Sequence, residues 1–195
     1  IRDLIVTGVQ TCALPIYIRK IAVTGGIGCG KSSVIAFFAA HGIPVASADA
    51  VCHQLYCDST WTARIAREWG ADTVNRDGSV DRRRLGEKVF HAPEELEKLN
   101  RMVHPEIRCR IARWLETQAP FGVVEVPLLF ESGWEGDFEA TIAVWSPLPV
   151  CRERIRERGW SESELERRSE RQWSADRKLE DRKSTRLNSS HDQTS

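Results

Sequence analysis

IAVTGGIGCGKSSVIAFFAAHG, residues 21–42, decides the fold. Its centre, GGIGCGKS at 25–32, fits G-x-x-x-x-G-K-[ST], with Gly25, Gly30, Lys31 and Ser32 at the fixed positions. The run before it, IAVT, is short and apolar and predicts a strand. The run after it, 33–42, carries a helical apolar pattern and stops at a glycine. Strand, glycine loop and helix in that order form the phosphate-binding loop of an α/β protein.

The chemistry accounts for the residue types. Successive backbone N–H groups must turn inward around a phosphate, and glycines allow that turn without Cβ clashes. The loop opens a helix whose first N–H groups and dipole favour anionic oxygen. Gly26, Gly28, Cys29, Gly30, Lys31, Ser32 and Ser33 are therefore the candidate nucleotide-binding residues. Lys31 supplies a cation for the β- and γ-phosphates, and Ser32 is the candidate Mg²⁺ ligand. The bland alternative is a glycine-rich turn that binds nothing, but a Lys-Ser pair has no packing role there.

Composition bounds the rest. The 195 residues suit one α/β domain, and 28 Lys+Arg against 28 Asp+Glu give a formal net charge of zero. That balance argues against a general nucleic-acid or membrane-surface binder. No apolar run spans a bilayer and no signal peptide is evident, so a cytoplasmic protein is expected. Cys12, Cys29, Cys52, Cys57, Cys109 and Cys151 show no metal-ligand spacing. Reduced thiols are expected, with Cys29 inert unless the loop amides lower its pKa.

Downstream, residues 43–49 (IPVASAD) read as a second strand closed by Asp49. Ligands of open α/β sheets sit beyond the carboxyl ends of strands, so Asp49 is expected to face the phosphates and act as base or hydroxyl-orienting acid. Its alternative role is a helix cap. Residues 50–56, 61–70, 82–90, 94–102 and 105–118 read as helices, with a turn at 75–78. Residues 121–131 (FGVVEVPLLFE) hold a buried parallel strand and 140–145 another. Charged helices are expected over 149–158 and 162–179. Alternation of strands and helices implies a right-handed parallel sheet flanked by helices. The tryptophans read as packing residues.

VTGGIGCGKS (23–32), SAD (47–49), HPEIR (104–108), VPLLFE (126–131) and the arginine-rich stretch 154–172 resemble, in order and spacing, the pattern of the dephospho-CoA kinases. The resemblance covers nearly all of residues 18–180; HPEIR and VPLLFE select the family within the P-loop class. It implies a P-loop kinase core with a helical acceptor-binding insertion at about 50–118 and a small lid at about 152–172. It implies transfer of the γ-phosphate of ATP to the ribose 3′-hydroxyl of dephospho-CoA, a small-molecule substrate, with no obligate protein partner. Asp49 looks like the catalytic acid-base group; His104 and Arg108 look like acceptor-site residues. Pro127, Leu128 and Phe130 would shape the acceptor pocket. Arg154, Arg158 and Arg168 fall in the lid, and Arg158 is taken as the catalytic arginine. The family pattern usually has Ser at the position of Cys29, and its lid turn is one residue longer after the position of Arg158. The alternatives are another small-metabolite P-loop kinase, or an inactive nucleotide-binding fragment.

Both ends resemble translated DNA of another origin. Residues 181–191 (DRKSTRLNSSH) match a common sequencing adapter read in frame, and residues 6–16 (VTGVQTCALPI) match its reverse complement. Residues 1–16 and 181–195 are accordingly set apart as non-native, leaving 17–180 as the kinase-like domain. The native C-terminal strand and helix of the family pattern are expected to be missing. The polar stretch 184–190 is expected to be too poor in apolar side chains to replace a strand.

Overall fold

The computed structural model describes residues 19–118, 120–159, 161, 172–174, 177–178 and 186–188. Strand β1 (Lys20–Gly25) leads through the glycine loop into helix α1 (Lys31–Ala40), followed by strand β2 (Val45–Ser47). Helices α2 (Ala48–Tyr56), α3 (Ser59–Trp69), α4 (Arg82–Val89) and α5 (Pro93–Glu116) come next. The chain returns to strands β3 (Gly122–Glu125) and β4 (Ala140–Trp145), then helix α6 (Leu148–Glu157) and the short strand β5 (Arg186–Asn188). Among the described residues the sheet order is β2-β3-β1-β4-β5. β1 runs parallel to both neighbours, with Ile21 opposite Val123 on one side and Ala140 on the other.

That order puts β1 at the centre, and the burial follows. Ala22, Val23, Val123, Val124, Ala143 and Val144 are all buried. Such near-continuous apolar strands belong to a parallel sheet covered on both faces. Val34, Ile35 and Phe38 of α1 pack against the cluster of Val23, Cys29, Val123, Val144 and Cys151. The chain divides into two compact units, the sheet unit and Ser47–Glu116.

The second unit is built of helices. Asp58 caps α3 by accepting from Thr60 N–H, and Asp81 caps α4 by accepting from Arg83 and Arg84 N–H. The turn at 75–78 sits between the bridged residues Val74 and Val80. The two helices expected over 94–102 and 105–118 are one helix, α5, with Pro105 inside it. Proline in a helix costs about 3 kcal/mol, because it removes one backbone bond and crowds the preceding turn. Leu99, Val103, Ile107, Ile111 and Leu115, one every fourth residue, form a buried stripe that runs through the proline unbroken. Each such side chain stabilises by about 1.5–3 kcal/mol on burial, so the stripe outweighs the defect. Pro105 itself faces solvent.

Two further expectations are corrected. Asp49 does not close the second strand: β2 ends at Ser47, which caps α2 in an extended conformation, and Asp49 lies in the first turn of α2. It is therefore not the cap either. An acid in a first turn is favoured by the helix dipole, which accounts for the helix starting before it. The stretch 184–190 does supply a strand, since Arg186–Asn188 pairs parallel with Ala143–Trp145 of β4. Edge pairing is made by backbone groups, so a polar sequence can meet it. Of the helix expected over 162–179, residues 162–171 lie outside the described residues, as does most of the lid, Arg168 included, and the described residues 172–174 are not helical.

Candidate active site

The loop geometry comes from β1 and α1. Gly30 is the N-cap of α1 in the left-handed conformation, φ 97° and ψ 18°. The first turn has neither a side-chain cap nor an acidic residue, which leaves an open, positive helix end. Gly28 has φ 75°, and a Cβ there would lie 2.8 Å from the Cys151 carbonyl oxygen and 3.0 Å from its Cα. Only glycine lets the loop lie this close to α6.

Among the described residues, two cations attend the loop. Lys31 Nζ donates to the carbonyls of Gly25 at 3.0 Å and Gly26 at 2.9 Å. Arg154 of α6 donates from Nη1 to the Gly28 carbonyl at 3.2 Å and to Ser146 Oγ at 3.1 Å. Ser146, buried just past the end of β4, in turn donates to the Cys29 carbonyl at 3.1 Å. Arg154 and Ser146 thus brace the turn from below. Ser32 and Ser33 are exposed at the helix start, where a hydroxyl can meet a hydrated metal ion.

Beside the loop, the chain leaves β3 into the turn at 127–130. Val126 N–H donates to Val23 O at 2.9 Å, and Thr24 Oγ1 donates to Pro127 O at 3.3 Å. Lys178, fully buried, donates to the same carbonyl at 2.6 Å and pairs with Glu131 Oε1 at 2.8 Å. Trp173 N–H also donates to Glu131 Oε1, at 2.8 Å, and its ring stacks on Phe130 with centroids 6.1 Å apart. Trp173 and Lys178 are thereby tied to the VPLLFE segment.

The family model for dephospho-CoA kinase matches residues 19–193. The chain belongs to the dephospho-CoA kinase family. It is 37% identical over 155 residues to the dephospho-CoA kinase of Bdellovibrio bacteriovorus, covering 77% of each chain. It is 39% identical over 166 residues to that of Symbiobacterium thermophilum, covering 82% of this chain and 70% of the other. Among solved structures, TT1252 from Thermus thermophilus superposes with a TM-score of 0.80 at 33% identity over 90% of both chains. The dephospho-CoA kinase from Campylobacter jejuni superposes with a TM-score of 0.62 at 26% identity over 89% of both. The family match continues through 181–193, the stretch that resembles adapter sequence.

Within this kinase fold the sheet unit gathers Gly26, Gly28, Cys29, Gly30, Lys31, Ser32 and Ser33 into one loop. Pro127, Leu128 and Phe130 share one turn. Leu128 is exposed, whereas Phe130 is buried against Trp173. Of the α6 arginines, Arg154 touches the loop; Arg158, one turn on, is the exposed C-cap of the helix. The helical unit carries Asp49, exposed in α2, and His104 and Arg108, one turn apart on α5. His104 is half-buried; burial, helped by the Arg108 charge, holds its pKa below the usual histidine value and so favours the neutral ring.

Sequence reasoning missed Ser146, Glu131, Cys151 and Lys178. No local pattern marks Ser146, Cys151 or Lys178, whereas Glu131 closes the VPLLFE motif. The one available signal for Ser146 is its position just past a strand's carboxyl end, where ligand-facing residues collect.

Proposed function

We propose that this chain transfers the γ-phosphate of ATP to the ribose 3′-hydroxyl of dephospho-CoA, giving coenzyme A. The observation that carries this reading is the loop itself: an open helix end, a glycine that packs where no Cβ fits, and two cations fixed on the loop carbonyls. These features fit a triphosphate. Family membership supplies the acceptor.

The roles follow from the residue chemistry. Loop N–H groups from Gly26 to Ser33 cradle the phosphates, and Lys31 neutralises charge that spreads onto the transferred group. Arg154 holds the loop in shape and adds positive potential. Ser32 would hold Mg²⁺ through its hydroxyl, and the ion would supply positive charge to offset that of the phosphates. On the acceptor side, Asp49 orients the 3′-hydroxyl and accepts its proton. Arg108 offers a permanent cation to acceptor phosphate, and neutral His104 offers one donor and one acceptor nitrogen. Pro127 and Leu128 border the acceptor. Arg158 is reserved for the closing lid.

Asp49→Asn tests the acceptor half of this reading. The amide keeps the shape but loses charge and basicity. The rate of transfer should fall by about a hundredfold or more, the range for losing a general base, with ATP binding retained. Steady-state kinetics and nucleotide titration read the two effects separately. A near-normal rate would remove Asp49 from the chemistry.

A further inference from the structure

The loop rests on a pair of thiols. Cys29 of the loop and Cys151 of α6 are both buried, and their sulfurs are 3.6 Å apart across 122 residues of sequence. Neither is bridged. We propose that Cys29 and Cys151 form a peroxide-sensitive dithiol beneath the phosphate loop, whose closure to a disulfide withdraws the loop from nucleotide.

Geometry favours closure. An S–S bond is about 2.05 Å long, so the sulfurs need approach by only about 1.5 Å. The Gly28 backbone already lies against the Cys151 backbone, which holds the two segments at bonding range. The pair is also chemically unequal. The Cys29 thiol is drawn down to about 6, first by its hydrogen bond with Cys151 and further by a backbone hydrogen bond at Ser146 and the Lys31 charge, against a burial that raises it. Cys151 is pushed the other way, by that same hydrogen bond, by burial and by the Cys29 charge. It lies between the Cys29 sulfur and the Ser146 carbonyl, which is 3.5 Å away. One sulfur is therefore the thiolate nucleophile and the other the proton-bearing partner.

The reaction balances with hydrogen peroxide as the oxidant. The Cys29 thiolate attacks one peroxide oxygen, the O–O bond breaks and hydroxide leaves, giving a sulfenic acid. The Cys151 sulfur then attacks the Cys29 sulfur. The S–S bond forms, the S–O bond breaks, and the Cys151 thiol proton departs with the hydroxyl as water. A dithiol reductant reverses the bond by exchange. Burial of both sulfurs selects a small oxidant over a bulky disulfide.

Closure displaces Cys29 in the middle of the N–H cradle, between Gly28 and Gly30. The charge-assisted bonds from the loop to phosphate then lose their geometry.

The test treats the full chain with hydrogen peroxide, then measures a linked peptide and the binding of a fluorescent ATP analogue. Neither readout depends on the acceptor reading. Trypsin should release residues 21–31 joined to residues 114–152, two hydrogens lighter than the separate peptides. Nucleotide affinity should fall on the order of tenfold or more, the loss of one or two charged hydrogen bonds, and return with dithiothreitol. Cys151→Ala should keep basal binding, form no linked peptide and lose the reversible part of the response. Peroxide treatment without the linked peptide, or a linked peptide with unchanged nucleotide affinity, overturns the proposal.

Discussion

Lys31→Ala should abolish phosphoryl transfer while leaving the fold intact. The ammonium is bonded to the Gly25 and Gly26 carbonyls at the mouth of the loop and lines no part of the core. Its removal leaves the packing of the apolar cluster under the loop in place, since that cluster is built from Val23, Cys29, Val123, Val144 and Cys151 and does not include Lys31. What is lost is a cation that acts where charge spreads in the transition state. One such fixed group is worth about a hundred- to a thousandfold in rate, and here it also holds the loop carbonyls together. Turnover with ATP and dephospho-CoA reads the effect, and circular dichroism checks the fold. Unchanged turnover would dismiss the loop as the phosphate site.

Lys178→Met should be the most damaging single change to stability. Lys178 is fully buried, and its ammonium compensates the Glu131 carboxylate 2.8 Å away. Glu131 Oε2 is buried and has no hydrogen-bond partner among the described residues, so the carboxylate depends on that ammonium and on the Trp173 N–H. Breaking a buried pair from one side costs about 3–5 kcal/mol, because the other charge stays buried alone. For a chain of this size that lowers the melting temperature by about 6–20 °C. Lys178→Met combined with Glu131→Leu should recover most of the loss, since an apolar pair of similar volume is often no worse than the ion pair. Thermal melts of the single and double variants decide it. A double variant no more stable than Lys178→Met would show that the carboxylate is not what the lysine serves.

Much of the sheet unit was legible because its signals are local. The loop motif, the apolar runs of β1 and β4 and the glycine stop after α1 each lie within a few residues of the structure they specify. Asp49 was misplaced by two residues for a local reason as well. SAD reads equally as the end of a strand or the start of a helix, and the helix dipole settles the choice for Ala48 onward. Pro105 misled in the opposite sense. A proline breaks helices on average, but the i, i+4 stripe from Leu99 to Leu115 lies on the other face and carries the helix through. What the sequence hid is long-range. Cys29 meets Cys151 across 122 residues and Lys178 meets Pro127 across 51, and no window of sequence shows either pairing. The lowered pKa of Cys29 is a case in point. The loop amides were the expected cause, yet the first contribution comes from Cys151. Arg154 was one of three lid candidates; helical phase alone did not single it out, whereas its bond to the Gly28 carbonyl does.

The most direct test of the central claim is product identity. The purified chain is incubated with ATP, Mg²⁺ and dephospho-CoA, beside a panel of nucleosides and sugar acids. The product is analysed by mass spectrometry and ³¹P NMR. The account predicts one new phosphate monoester on the ribose 3′-oxygen of dephospho-CoA, formed with one equivalent of ADP, and no comparable rate on the other acceptors. A phosphate on a different hydroxyl, or a faster reaction with another acceptor, would contradict it.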